Sequence, residues 1–230
     1  MSLTKVLIGS FVFIEEKKVA LFKSLIIPFV LLLGLEATYS LDMNTVLKII
    51  VYFLCIALQV VIAITTHRTI ILGSNSIPSW GLKSWTIRES VFSIHMVLLF
   101  LALAPIYLVI YLPIFLGTIP SSTYMYVSGA ISILICSWLL GRMSLVFPGI
   151  AIDKYVSFKE SWKLTRNHQT LMVMVMAVLP LCTYFIIYLI GMIPYSFVIT
   201  RILSTFIVVF EITALSCCYQ LITDKAYKNG

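Results

Sequence analysis

The fold class is decided by residues 90–141, which read SVFSIHMVLLFLALAPIYLVIYLPIFLGTIPSSTYMYVSGAISILICSWLLG. No Lys, Arg, Asp or Glu occurs in this stretch. The hydrocarbon core of a bilayer is about 30 Å thick and is crossed by about 20 apolar helical residues. The stretch is therefore long enough for two membrane-spanning helices, joined by a turn around Gly117 and Pro120.

The rest of the chain has the same character. Of its 230 residues, 61% are hydrophobic and 11% are charged. A soluble domain averages about 25% charged residues, so this chain has too few charges to cover a surface in water. Residues 49–67 and 167–200 also contain no Lys, Arg, Asp or Glu. These features exclude a soluble domain and predict a polytopic membrane protein.

We predict an all-α fold in which six transmembrane helices follow an N-terminal amphipathic helix. Residues 1–18 carry apolar side chains at helical spacing, which is typical of a helix lying on the membrane surface. Residues 19–222 form the six-span membrane domain, and residues 223–230 form a cytoplasmic tail. The predicted spans are 19–35, 45–66, 91–112, 124–147, 170–190 and 197–221, with a kink at Pro28 and a break at Pro180.

The basic residues predict the orientation. If the N-terminus, the two long loops and the C-terminus share one side, fourteen of the 16 Lys and Arg residues lie there. Only Lys48 and Arg201 lie on the other side. Cytoplasmic loops carry an excess of basic residues, so both termini are predicted to be cytoplasmic. The fourteen are Lys5, Lys17, Lys18, Lys23, Arg68, Lys83, Arg88, Arg142, Lys154, Lys159, Lys163, Arg166, Lys225 and Lys228.

The two long loops look like copies of each other. Each begins with an Arg at the end of an even-numbered span and ends with a basic-Ser-Trp-basic cluster. A true duplication would relate spans two and three to spans four and five as a parallel repeat. In the second loop, Ser157 and Glu160 form a capping-box pattern, which predicts a helix from Phe158 onward. That helix would place Phe158, Trp162 and Thr165 on one face and the cations Lys159, Lys163 and Arg166 on the adjacent face.

The second loop resembles a family of bacterial inner-membrane proteins. The family includes the YciC-type proteins and the membrane domain attached to some glycerophosphodiester phosphodiesterases. The resemblance implies a six-helix fold, and no catalytic residue carries over from it. It rests on Arg142, Pro148, Gly149, Ile150, Ala151, Ile152, Asp153, Ser157, Phe158, Lys159, Glu160, Ser161, Trp162, Leu164, Thr165 and Arg166, and in the first loop on His67, Arg68, Ile71, Leu72, Gly73, Arg88 and Glu89.

Few residues could carry chemistry. Glu211 lies in the sixth span, where a carboxylate is costly unless it faces protein or water. It is read either as a proton or cation site or, as we favour, as a hydrogen-bonded carboxyl that locks helix packing. His95 lies about one turn into the third span and is read either as a ligand or proton-handling residue or, as we favour, as a satisfied interfacial histidine. We expect contacts to lipid phosphates or other anions from His67, Arg68, Arg88, Arg142, Lys159, Trp162, Lys163 and Arg166.

The residue types predict no enzyme, no cofactor and no metal. The five cysteines lie in apolar runs without metal-ligand spacing, and no nucleophile accompanies a base and an acid in a known motif. The expected partners are anionic lipid headgroups at the cytoplasmic face and either another membrane protein or a second copy of the chain. The net charge of +7 does not indicate nucleic acid, because the basic residues do not sit on a soluble domain.

We therefore predict an accessory, scaffolding or interaction subunit of the bacterial cytoplasmic membrane. The alternative is a small-solute or lipid transporter, or a permease subunit of an ABC importer. Such permeases place a short cytoplasmic helix against an ATPase, with a Glu near its start and a Leu-Pro about twenty residues later. Glu160, Leu179 and Pro180 fit that frame, but the glycine expected between them is absent.

The predicted topology can be tested with single cysteines in a background lacking the native ones. A membrane-impermeant thiol reagent applied to intact cells should leave the cytoplasmic positions unlabelled and label the external ones. Labelling at position 157 from outside would contradict the topology. The cytoplasmic positions are Ser2, Ser79, Ser157 and Asn229, and the external positions are Asn44 and Ser121.

Overall fold

A computed structural model describes residues 2–38, 44–77, 80, 84–116, 122–193 and 197–228. Within these ranges the regular structure is helical, and six apolar helical segments are long enough to cross a membrane. The chain is an all-α, multi-pass membrane protein. Its α-helices are α1 (Leu3–Thr38), α2 (Thr45–Leu72), α3 (Ile87–Phe115), α4 (Ser122–Met143), α5 (Val146–Ala151), α6 (Phe158–Leu164), α7 (Gln169–Val173), α8 (Leu179–Gly191) and α9 (Phe197–Lys228).

The N-terminal segment is one helix where the sequence predicted a surface helix followed by a span. Helix α1 continues through residue 18 because residues 15–18 are two Glu and two Lys, which are good helix formers. Val6 and Ser10 are completely buried in the bundle. Lys17 turns inward and donates to the carbonyls of Thr69 and Ile70 at 3.1 and 2.6 Å. Residues 3–18 therefore pack against the bundle.

Three other helix boundaries differ from the prediction. Helix α2 runs past residue 66 to Leu72 and is followed by the capping residue Gly73, whose φ of 92° suits glycine. The fourth span divides into α4 and the short α5, all six residues of which are buried. The last helix continues beyond residue 221 to Lys228, so the predicted tail is largely helical.

The fifth span is interrupted at the predicted place but in an unexpected way. Residues Met174–Val178 form a π turn between α7 and α8. Pro180 has no backbone N–H, and its ring clashes with the carbonyl four residues before it. A local wide turn is one way in which a helix absorbs that clash. The break predicted at Pro180 therefore occurs as a π turn just before it.

The core lies where the second long loop folds back into the bundle. Helix α5 packs against α2, α3 and α9, and Leu145, Val146 and Ala151 are completely buried. The chain then reverses, because the Lys154 N–H donates to the Gly149 carbonyl at 3.0 Å. The reversal needs a glycine at 149, since a Cβ there would lie 2.8 Å from the Lys154 carbonyl oxygen.

Substitution of Gly149 by Ala should therefore destabilise the protein by about 1–3 kcal/mol, the usual cost of overpacking a core. Thermal unfolding followed by circular dichroism in detergent measures the effect. Gly34→Ala is the matched control, because nothing lies within 4 Å of its Cβ position in α1. The control should be neutral or slightly stabilising, and an equal loss in both variants would contradict the packing described.

Candidate functional site

Two arginines from the first long loop hold an aspartate from the second. Arg68 Nη1 donates to Asp153 Oδ2 at 2.8 Å. Arg88 donates through Nε to Oδ1 at 2.7 Å and through Nη2 to Oδ2 at 3.0 Å. Asp153 adopts a φ of 62°, a left-handed conformation that Asp tolerates better than most residues. The ion pairs thus join the end of α2 and the start of α3 to the loop after α5.

The ion pairs also set the ionisation of Asp153. Partial burial opposes its ionisation, but hydrogen bonds and charges from Arg88 and Arg68 outweigh that effect and lower the pKa of the carboxyl. Arg68 Nη1 also donates to the Ala151 carbonyl at 2.8 Å. Both arginines were predicted to meet lipid phosphates. In the structure their guanidinium groups are mostly buried against protein acceptors.

Arg142 ends α4 and lies beneath α6. Only 3% of its surface is exposed. Its Nη2 donates to the Trp162 carbonyl at 2.7 Å, and the Trp162 ring lies 4.4 Å from the guanidinium carbon. The hydroxyls of Ser161 and Thr165 approach the Arg142 carbonyl at 2.8 and 3.3 Å. We call the part of the bundle that holds Arg68, Arg88, Arg142 and Asp153 the arginine end.

Helix α6 begins as the sequence predicts. Ser157 and Glu160 form the full capping box, with Ser157 N donating to Glu160 Oε2 at 2.7 Å. The backbone and hydroxyl of Ser157 lower the pKa of the Glu160 carboxyl. Lys159, Lys163 and Arg166 are exposed, as the prediction of headgroup contacts requires. Phe158 and Trp162, however, pack against His95 and Arg142 respectively.

The two histidines predicted near the interface have different surroundings. His67 is 2% exposed, and its Nδ1 lies 2.7 Å from the Ser216 hydroxyl oxygen. It was predicted as a lipid or anion contact, but its ring is buried within the bundle and contacts α9 through Ser216. His95 Nδ1 donates to the Val91 carbonyl at 2.8 Å, and its ring centroid lies 5.3 Å from that of Phe158.

Glu211 has a partner on the neighbouring helix. Its Oε1 accepts a hydrogen bond from the Thr183 hydroxyl at 2.6 Å, which links α9 to α8. Thr183 lies in the first turns of α8, just after the π turn. The contact fits a carboxyl that locks helix packing. The second carboxylate that a proton relay would use is not among the hydrogen-bond partners described for Glu211.

A cavity of about 1020 Å³ lies between α1, α2, α3, α8 and α9. Its wall is mostly apolar, and its only acidic, Lys or Arg lining residues among those described are Glu36 and Arg201. These two form an ion pair at 3.2 Å between an Arg201 Nη1 and a Glu36 Oε2. We call the part of the bundle that holds this pair the far end. His67 and Leu215 line the cavity toward the arginine end.

The chain matches no protein-family model, no curated protein and no solved structure. Its resemblance to the YciC-type family therefore stays a prediction.

Sequence reasoning missed the residues whose partners are distant in the chain. Asp153 is separated from Arg68 and Arg88 by more than sixty residues. The Glu36–Arg201 pair joins the first and last spans. A single aspartate at the end of an apolar run was a weak signal for Asp153. For Glu36, the available signal was that only two basic residues, Lys48 and Arg201, lie at the same predicted membrane face.

Asp153→Asn should lower stability by about 1–2 kcal/mol, between the values of an exposed ion pair and of a charged hydrogen bond. Because the folded-state pKa of Asp153 is lowered, its ionised carboxylate stabilises the fold above the unfolded-state pKa of about 3.9. That stabilisation is lost as the pH falls through the folded-state pKa. Unfolding measured from neutral to acidic pH should therefore show a smaller difference between wild type and variant at the acidic end.

Glu15→Gln provides the control for this pH series. Glu15 pairs with Lys18, and their side chains are 71% and 62% exposed. Loss of this exposed ion pair should change the free energy of unfolding little. A constant difference between wild type and Asp153→Asn at all pH values would contradict a stabilising Asp153 carboxylate.

Proposed function

We propose that the chain is a non-catalytic accessory protein of the bacterial cytoplasmic membrane that binds a lipid between its helices. The observation that carries this proposal is the mostly apolar cavity of about 1020 Å³. Small-molecule sites usually measure about 300–1,000 Å³. A cavity at the top of that range, with apolar walls inside a membrane domain, suits a lipid better than an ion or a small polar solute.

The shape of the cavity supports an elongated, amphipathic ligand. Its lining runs along α9 from Arg201 to Leu215, which corresponds to about 21 Å of helix. Phe29, Leu32 and Ile212 are among the apolar residues of the wall. A hydrocarbon chain can lie along this wall, and a polar headgroup can lie beside the ion pair at the far end.

The polar groups near the cavity on the side of the arginine end favour ligand binding over catalysis. His67 and Ser216 form a base and hydroxyl pair, but the Ser216 hydroxyl also donates to the Ile212 carbonyl at 2.9 Å. In that arrangement His67 donates to Ser216 and cannot take its proton, as a general base must. Ser216 is also completely buried.

The proposed orientation has both termini in the cytoplasm. The basic residues support it through their asymmetry between loops. Contacts within the bundle agree with a common side for the N-terminus and the long loops, since Lys17 of α1 meets the end of α2. Exposed cations on α6 are suited to anionic headgroups on that side, at about 1 kcal/mol for each cation near the surface. Membership of the YciC-type family is proposed on the two loops alone.

The permease alternative keeps one specific observation in its favour, the short helix α6 with an exposed acidic start. A coupling helix would use Glu160 as an anchor for the ATPase. Here the Glu160 carboxylate accepts hydrogen bonds from the Ser157 backbone and hydroxyl. It is committed to starting the helix, so lipid binding is the better-supported function.

Native mass spectrometry of the purified protein tests the proposal. Released from mild detergent, the wild type should carry a bound lipid that survives removal of the micelle. Ala63 lines the cavity, so Ala63→Phe should fill part of it and lower the lipid-bound fraction. Wild type without any retained lipid would contradict the proposal.

Ala102→Phe is the matched control, because Ala102 lies on the exposed side of α3. It adds the same ring to the outside of the bundle and should leave the bound fraction unchanged. The wild type and both variants should elute as monodisperse species. Equal lipid retention by Ala63→Phe and wild type would place the lipid elsewhere and reject the cavity as the binding site.

A further inference from the structure

Arg142 is a buried cation whose hydrogen-bonding capacity is mostly unused. Its guanidinium donates through Nη2 to the Trp162 carbonyl. Its Nε and Nη1 are buried and have no hydrogen-bond partner within the part of the chain that the structure describes. Buried polar atoms are almost always paired, so an unpaired donor needs an explanation. For a charged donor, the cost of leaving it unpaired is especially large.

The surroundings of Arg142 offer little compensation. The Trp162 ring supplies a cation–π contact at 4.4 Å, and a cation at the end of α4 interacts favourably with the helix dipole. The hydroxyls of Ser161 and Thr165 meet the Arg142 backbone carbonyl, not its guanidinium. None of the ion pairs in the described ranges involves Arg142.

Arg166 is a second cation near Arg142. Arg166 directly follows Thr165, whose hydroxyl oxygen lies 3.3 Å from the Arg142 carbonyl oxygen, so the turn after α6 brings a second cation to this part of the bundle. Folding alone disfavours two cations near each other, and it also disfavours a buried cation with unpaired N–H groups. An oxyanion between them would pair the free N–H groups and offset the repulsion. Guanidinium groups match phosphate oxygens in geometry as well as in charge.

We propose that Arg142 and Arg166, covered by the Trp162 ring, form a binding site for a phosphate group. The site is separate from the cavity between the helices, since neither arginine lines that cavity. It therefore stands independently of the proposed lipid ligand there. The phosphate belongs either to a lipid headgroup at the same membrane face or to a soluble phosphate compound.

The covering tryptophans provide a readout. Trp162 is half-buried and meets Trp138 edge to face, with ring centroids 5.1 Å apart. Trp138 is 40% exposed. An anion can reach Nε and Nη1 of Arg142 only if the covering side chains move. Binding should therefore change the fluorescence of Trp138 and Trp162.

The experiment uses the full chain with Trp80→Phe and Trp85→Phe, which leaves two of the four tryptophans. One arm titrates inorganic phosphate into protein in uncharged detergent, with chloride at equal ionic strength as the blank. The other arm compares nanodiscs of phosphatidylcholine with and without phosphatidylglycerol. A saturable fluorescence change in the first arm assigns a soluble phosphate. A change only with phosphatidylglycerol assigns a lipid headgroup.

Variants identify the site. Arg142→Gln should weaken the binding seen in either arm about tenfold or more, the factor that corresponds to one charge-assisted hydrogen bond. Arg166→Gln should weaken it less. Lys5→Gln removes an exposed charge of the same sign at the start of α1 and should leave binding unchanged. Thermal unfolding of each variant checks the fold, and Arg142→Lys, which keeps the buried charge without the planar donors, should also bind weakly if Arg142→Gln does not fold.

Two results would overturn the site. One is the absence of a fluorescence change with both phosphate and phosphatidylglycerol. The other is wild-type binding by Arg142→Gln or Arg142→Lys. Loss of lipid from the helix-lined cavity in Ala63→Phe would not affect this outcome, so the two proposals fail separately.

Discussion

Hydrocarbon offers a protein backbone no hydrogen-bonding partner, and most of this architecture follows from that constraint. Each N–H and C=O within the membrane must be satisfied along its own helix. Helix α1 therefore continues through Pro28, and the fifth span widens into a π turn before Pro180 without unwinding. The same solvent accepts apolar side chains at no cost, which is why residues such as Phe100 and Phe206 remain exposed on the outer surface.

The constraint also explains why polar contacts collect where the helices end. At the arginine end, the loop after α5 brings an acid to two cations, and α6 brings a Trp ring to a third. The fully buried α5 anchors this loop between α2, α3 and α9. Side chains at the arginine end thereby join the end of α2 and the start of α3 to the loop after α5, and the end of α4 to α6. The middle of the bundle keeps an apolar cavity. The fold thus combines a firmly connected end with a less completely packed interior.

The sequence was sufficient for the features that depend on local patterns. Long apolar stretches predicted all six spans because span length is set by the bilayer. The Ser157–Glu160 spacing predicted the start of α6 because a capping box needs only four consecutive residues. Local patterns were less reliable at helix ends. Residues 15–18 were read as a boundary by their charge, although Glu and Lys are good helix formers.

Partners across the bundle could not be predicted in the same way. The periodicity of a helix gives its apolar faces but not which helix meets which. The sequence identified Glu211 as needing an explanation, yet its contact with Thr183 depends on how α8 packs on α9. The cationic residues were expected to meet lipid. The sequence contained no signal that Arg68 and Arg88 share one carboxylate or that the Arg142 guanidinium lies beneath a Trp ring.

The π turn at Met174–Val178 gives the fifth span an unusual dependence on its residue count. A π turn accommodates one residue more than the α-helical path would. The side chains before it are buried at Leu171 and Met172, whereas no residue of α8 is buried. Loss of a single residue here would restore a regular helix and rotate everything after it by about 100°. Thr183 would then face away from Glu211. The contact between α8 and α9 therefore depends on the extra residue in the π turn as well as on the two side chains that meet.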